Sequence, residues 1–433
     1  MAERHIVFAT VGSQGDLFPL LAVGRELVAR GHRVTVGAHA IHRDAVLDAG
    51  LDFVMASGIA EPEDKAAFAA KAFHPWRGPR FVVRDLAAAD VAASYHALKS
   101  FCMEADAVVT TTLAFAGHIL GETLPVAWFS AVLSPSVFLS PFDPPATGLA
   151  TLDRWLSASP RRARWLVRVV ETVTRPWTAA VRGFRQRLGL SAMSAGGDPF
   201  HRGQHGREGV LAMYSPLMGA LPPDAPEGTV LTGQCRYLPA ADVLPAALAR
   251  WLALGEPPIV FTLGSAAVHA GEGFLRESVA AARQLGRRAV LLTGSPELRE
   301  RLGVLGDDVL AIDYAPHGAL FSRACAVVHH GGIGTTHEAL RAGRPALVVP
   351  HGFDQPDNAA RVKRLGAGDV LPAHRYRADR AAAKLKALLD DRDLRQRVEA
   401  MGCALREEHG ARIAADAIEQ GMTPRYKPEM WES

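Results

Sequence analysis

Short, almost purely apolar runs alternate along this chain with segments whose apolar residues recur every three or four positions. In the first half, residues 5–11, 34–37, 51–55, 107–110 and 126–129 read as buried strands, and 230–237 reads as the last of them. Between the first two, Leu17, Leu20, Leu21, Gly24, Leu27 and Val28 share one helical face that ends at Arg30-Gly31. That is a β-α-β unit, the start of a parallel sheet. The second half repeats the rhythm, with strands predicted at 259–263, 289–292, 309–312, 324–328 and 346–349. Helices fit 274–285, 335–341, 357–365, 381–389, 394–407 and 411–420. A Pro/Ala-rich connection over 238–258 separates the halves. The prediction is an α/β protein of two domains, residues 1–238 and 258–410, as expected for 433 residues.

Composition narrows the class. Hydrophobic content of 48% and charged content of 21% are those of a soluble globular enzyme. A net charge of +3 is too small to imply a nucleic-acid partner. Cys102, Cys235, Cys325 and Cys403 are scattered, which predicts reduced thiols in a cytoplasmic protein and no zinc or disulfide framework. The N-terminus runs directly into a strand with no signal-like apolar region. The charge-free stretch 123–142 is long enough to suggest a membrane span, but Pro125, Pro135 and Pro141 make it a strand and a loop. From Arg154 to Arg187 nine arginines face one glutamate, interleaved with Trp155, Trp165, Trp177 and Phe184. Two readings fit that stretch: a solvated helix whose aromatic face covers the first domain, or a peripheral contact with an anionic membrane surface.

The densest chemistry lies between His329 and Asn358. Gly331, Gly332 and Gly334 follow an apolar strand and lead into a helix, so bare backbone N–H groups and the helix dipole converge where a phosphate can bind. His330 adds a donor, and Thr335 opens the helix. Glu338, one turn deeper, suits vicinal hydroxyls; Asp354 and Gln355 supply acceptors and donors for a polyhydroxylated group. Gly264-Ser265 follows another strand and can close on the same anion. The nearest D-x-D string, Asp391-Arg392-Asp393, is read as a helix N-cap, so a metal-independent site is expected. The first turn is G-S-Q-G and lacks the dinucleotide fingerprint, which disfavours NAD.

The run His330, Gly332, Thr335, Glu338, Pro350, Asp354, Gln355 and Asn358 matches H-x-G-x-x-[ST]-x-x-E, P, D-Q-x-x-N. It resembles the donor signature of the UDP-glycosyltransferases, inverting enzymes of GT-B architecture, in which two Rossmann-like domains face each other across a cleft. The resemblance implies a UDP-sugar co-substrate, no further cofactor, and a last helix, about 411–433, packing back on the first domain. It makes His330, Gly331, Gly332, Gly334, Thr335, Gly264 and Ser265 the diphosphate site, Glu338 the ribose ligand, and Asp354 with Gln355 the sugar ligands. Tyr314-Ala315-Pro316-His317 stands where the family has W-A-P-Q, so Tyr314 and His317 would meet the base; here Tyr replaces Trp and His replaces Gln. G-S-Q-G-D-x-x-P is the form of the sterol and antibiotic glycosyltransferases, which implies Asp16 as general base beside Gly15. The competing reading makes Asp16 a cap of a helix starting near Leu17, with a depressed pKa. Phe73, Trp76, Ser134, Phe138 and Phe142 offer an apolar lining for a lipidic or polyketide-like acceptor. The expectation is hexose transfer from a UDP-sugar to a hydroxyl of a hydrophobic small molecule. The alternatives are a dTDP-rhamnose donor, supported by Ser134-Pro135-Ser136 and the run 314–320 shared with rhamnose-transferring members, a UDP-sugar epimerase, and a silent partner of another transferase.

Overall fold

The computed structural model describes residues 2–74, 77–194, 196–239, 243–264 and 271–422. Ser265, Trp76 and residues 423–433 lie outside them. The apolar runs form two sheets in which every pairing is parallel. In chain order the first sheet holds β1 His5–Ala9, β2 Arg33–Ala38, β3 Asp52–Met55, β4 Ala107–Thr111, β5 Ala127–Val132, β6 Gly209–Ala212 and β7 Thr229–Leu231, arranged β3-β2-β1-β4-β5-β6-β7. The second holds β8 Ile259–Thr262, β9 Ala289–Leu292, β10 Val309–Ile312, β11 Ala326–His329, β12 Ala346–Val348 and β13 Gly368–Val370, arranged β10-β9-β8-β11-β12-β13. The central strands β1, β4, β8, β11 and β12 are buried throughout because helices cover both faces of each sheet.

Each sheet reverses its direction of growth once, between β1 and β4 in the first and between β8 and β11 in the second. Open α/β sheets bind ligands outside the carboxyl ends of the strands at such points. Asp16 follows β1, Gly264 follows β8, and His330 follows β11, so the sequence places its chemistry at both reversals.

Three expectations need correction. The strand expected over 230–237 is only Thr229–Leu231, because Gly233 takes φ +87° and turns the chain away. Two short strands, Gly209–Ala212 and Gly368–Val370, extend the sheets where a glycine start and low apolar content hid them. The first helix spans Gln14–Ala29, with Ser13 as its N-cap, so Asp16 is its third residue and not its cap.

Most of the other elements lie within a few residues of their predicted bounds. The Asp391 side chain accepts from Leu394 N at 2.8 Å and caps the helix Arg392–Arg406. The basic stretch forms three helices, Ala150–Ser157, Pro160–Thr174 and Ala179–Arg187. Among the described residues no helix is long and apolar enough to cross a membrane.

The halves are packed together. Val132, Val210, Ala212 and Tyr214 belong to the same buried cluster as the second sheet. The helix Gly410–Gly421 lies on the first half, where Ala414, Ala415 and Ile418 join its core. Arg30 bonds Asp416 and Glu419 there, both at 2.6 Å.

Candidate active site

β11 delivers His329 to the cleft, and the chain turns through Gly331 at φ +91° into the helix Ile333–Arg341. Gly332 is the N-cap and supplies no side-chain hydrogen bond, so the first-turn N–H groups are available to an anion. The His330 ring is wedged between two glycines. A Cβ on Gly264 or on Gly332 would stand 2.4 Å from a ring atom. Around Gly334, by contrast, a Cβ would meet nothing within 4 Å, so packing does not require glycine there. Burial, with His329, His351 and His317 nearby, holds the His330 pKa well below its ordinary value. The ring is therefore neutral, and its buried Nδ1 has no partner. A neutral imidazole at the open end of a helix supplies one N–H to an anion without carrying charge itself. Thr335 is buried in the first turn of that helix.

Glu338, deeper on the same helix, is already engaged. Arg236 donates from Nε at 2.8 Å and from Nη2 at 3.2 Å, and Gln234 Nε2 donates at 3.0 Å. The Arg236 guanidinium lies over Gly318, where a Cβ would come within 2.0 Å of Nη2. Both partners come from the irregular segment created by the Gly233 turn. Sequence reasoning missed them because it read that segment as strand. His317 stacks on Phe321 with centroids 4.7 Å apart, close enough to Glu338 to feel its charge. Tyr314 is exposed beyond β10, Val309–Ile312.

Asn358 knits the site. Its Nδ2 donates to the Gly331 carbonyl at 2.9 Å and to Asp354 Oδ2 at 2.7 Å, and its Oδ1 accepts from Ser134 Oγ at 3.2 Å. Gln355 Oε1 accepts from His351 N and Gly352 N, which pins the loop ahead of Asp354. Phe353, in that loop, holds φ +57°, an unusual conformation for a bulky residue. Its ring meets Phe73 edge-on across the cleft, 5.4 Å between centroids. Strain retained where two halves meet a ligand site points to function. Phe353 had no sequence signal of its own.

Asp16 closes a capping box: its Oδ2 accepts from Ser13 N at 2.8 Å, while Ser13 Oγ accepts from Gly15 N. The carboxylate folds over Gly12, where a Cβ would fall 2.1 Å from Oδ2. The depressed pKa expected of a cap-bound carboxylate is not what the environment gives. Burial outweighs the Ser13 hydrogen bonds and raises Asp16 to about 6. Asp354 is raised to about 7, mainly by burial, and the charge of Asp16 contributes. The two carboxyls, one from each half, are therefore electrostatic neighbours. Two further histidines of the first half have structural partners: His42 bonds the Gly12 carbonyl at 3.1 Å, while His118 is buried against Trp128 and bonded to the Thr111 carbonyl.

The residues expected around an acceptor divide. Phe73 reaches the cleft through Phe353. Phe138 stacks on His205 at 6.0 Å, and Phe142 is exposed. Ser134 is buried, its hydroxyl on Asn358. Nearby, Arg361 ties the halves through Asp143, Asp357 and the Met218 carbonyl. A cavity of about 350 Å³ opens beside Pro144 and Ala146, between the helices Ala150–Ser157 and Gln355–Arg364.

Two parallel-sheet domains with their reversal points turned to a shared cleft define a GT-B glycosyltransferase fold. Residues 6–140 match the glycosyltransferase family 28 N-terminal domain, and residues 282–419 the erythromycin biosynthesis protein CIII-like C-terminal domain. The chain is 32% identical to O-mycaminosyltylonolide 6-deoxyallosyltransferase of Streptomyces fradiae, over 96% of this chain and 97% of that protein. It therefore belongs to the UDP-glycosyltransferase family and is an enzyme that moves a sugar onto a small-molecule acceptor. Among solved structures, the glycotransferase of kitacinnamycin superposes with a TM-score of 0.73 at 23% identity, covering 98% of this chain and all of that one. The glycosyltransferase VinC, solved in complex with dTDP, superposes with a TM-score of 0.66 at 20% identity, covering 96% and 99%.

Proposed function

We propose that the protein transfers a hexose from a nucleoside-diphosphate sugar to a hydroxyl of an apolar small molecule, with inversion at the anomeric carbon. Asp16 takes the hydroxyl proton as the acceptor oxygen attacks C1, and the diphosphate departs toward His330 and the N-terminus of the Ile333–Arg341 helix. Those backbone dipoles and the neutral imidazole offset the leaving-group charge, so the step needs no divalent ion. Asp354 and Gln355 orient the sugar, and Phe73 with Phe353 closes over it. The observation that carries this reading is the meeting of Asp16 and Asp354, one from each half, with pKa values raised to about 6 and 7. An aspartate raised to about 6 is ionised at neutral pH yet more basic than a free carboxylate, the compromise a general base requires.

A specific contact favours the second donor reading, a deoxythymidine nucleotide over UDP. A carboxylate has about four lone-pair sites, and Glu338 already receives three hydrogen bonds, from Arg236 and Gln234. One acceptor site suits the single 3′ hydroxyl of a deoxyribose. Incubation with UDP- and dTDP-hexoses and a panel of apolar aglycones, with and without EDTA, tests the proposal. The expected product is a glycoside of inverted anomeric configuration, formed equally in both buffers. Retained configuration, or activity that returns only with magnesium or manganese, overturns it.

A further inference from the structure

The helix Pro160–Thr174 carries apolar side chains on two opposite faces. Ala163, Val167 and Thr174 are buried, and they anchor it to the first half. On the outward side Trp165, Val169 and Val173 are 60%, 37% and 61% exposed. Their i, i+4 spacing aligns them in one stripe. Beside it runs a second stripe, Arg161, Arg164 and Arg168, all exposed and, among the described residues, without an ion pair. Arg182 and Arg185 of the next helix, by contrast, are paired with Asp198 and Glu122. Glu171, the helix's one acid, is half-buried. Trp155, on the preceding helix, extends the patch: it is 43% exposed, with Arg162 stacked 5.1 Å above its ring.

We infer that this outward face of the Pro160–Thr174 helix lies on an anionic lipid surface, with Trp165, Val169 and Val173 at the headgroup boundary and the arginine stripe on the lipid phosphates. Folding does not account for the outward stripe, since the inward face already packs the helix. Arg161, Arg164 and Arg168 run along the full length of the apolar stripe, so whatever covers the face must present anionic groups along that length beside an apolar layer, which is what an anionic lipid surface offers. Arginine beside tryptophan on an amphipathic helix is the composition of an interfacial segment. Among the described residues no hydrogen bond, ion pair or ring contact joins Arg161, Arg164, Trp165 or Arg168 to the His330 turn or to Asp16, so variants at these positions should leave nucleotide affinity unchanged.

Flotation of the full-length protein with phosphatidylcholine vesicles, with and without phosphatidylglycerol, provides the test. Each arginine near an anionic surface contributes roughly fivefold to binding, so R161Q/R164Q/R168Q should bind anionic vesicles about a hundredfold more weakly. W165E should also release the protein, and high salt should reduce binding by the unmodified chain. Because these residues are exposed, the variants are expected to fold, which nucleotide titration checks independently. Absence of binding to anionic vesicles, or binding that the triple variant leaves intact, overturns the inference. A dimer in sedimentation velocity that W165E converts to monomer also overturns it and assigns the face to a second copy of the chain.

Discussion

Replacing Arg236 with methionine keeps most of the side-chain stem and removes the guanidinium from Glu338. Two of the three hydrogen bonds on that carboxylate disappear, leaving only Gln234 Nε2. The freed oxygens can then accept from both hydroxyls of a ribose. A hydrogen bond to a charged group contributes about 1.5–3 kcal/mol, and 1.4 kcal/mol is tenfold in affinity. The variant is therefore expected to shift the ratio of UDP to dTDP affinity toward UDP by roughly tenfold or more. dTDP itself should change little, since it needs one acceptor site in either protein. Calorimetric titration of both proteins with both nucleotides measures the ratio directly. A ratio unchanged within about twofold would refute the claim that Arg236 sets how many ribose hydroxyls Glu338 can accept.

Three further outcomes follow from the site. Gly332→Ala would push a methyl into the His330 ring, since the added Cβ falls 2.4 Å from Nε2; nucleotide affinity should drop at least tenfold, about 1.4 kcal/mol, and an unchanged Kd would show that the ring can move aside. With Asp16 raised to about 6, kcat/KM should rise with pH through an inflection near 6, and an inflection near 4 would mean the carboxyl is solvated as in a free peptide. The sign for stability is opposite: a raised carboxyl binds more protons folded than unfolded, so its contribution declines as pH rises from about 4 to about 6. Asp16→Asn should flatten that slope in thermal unfolding.

Legibility in the sequence tracked how local each signal was. The strand–glycine–helix turn at His330 is specified by neighbours in the chain, and the structure keeps it where the pattern put it. Glu338 was also found, but its state was not, because Arg236 and Gln234 lie about a hundred positions away and are aimed by the positive φ of Gly233. Asp16 shows the same limit. Its place after β1 was readable, yet the direction of its pKa depended on its burial, which no local pattern encodes. Ser134 was expected in the apolar lining of an acceptor pocket, whereas it is buried and its hydroxyl ends on Asn358 of the other domain. The two strands missed, Gly209–Ala212 and Gly368–Val370, are held by pairing to their neighbours more than by their own composition.

The central claim is that Asp16 is the base and the His330 turn is the donor site, two separable functions on opposite sides of the cleft. Turnover and nucleotide affinity measured together for Asp16→Asn test it most directly. Asparagine can keep the contact to Ser13 N but cannot accept a proton, so kcat should fall by about two to four orders of magnitude while the Kd for the nucleotide stays within about twofold. Near-normal kcat in a folded Asp16→Asn protein, or a nucleotide affinity that falls in step with the rate, would contradict the account.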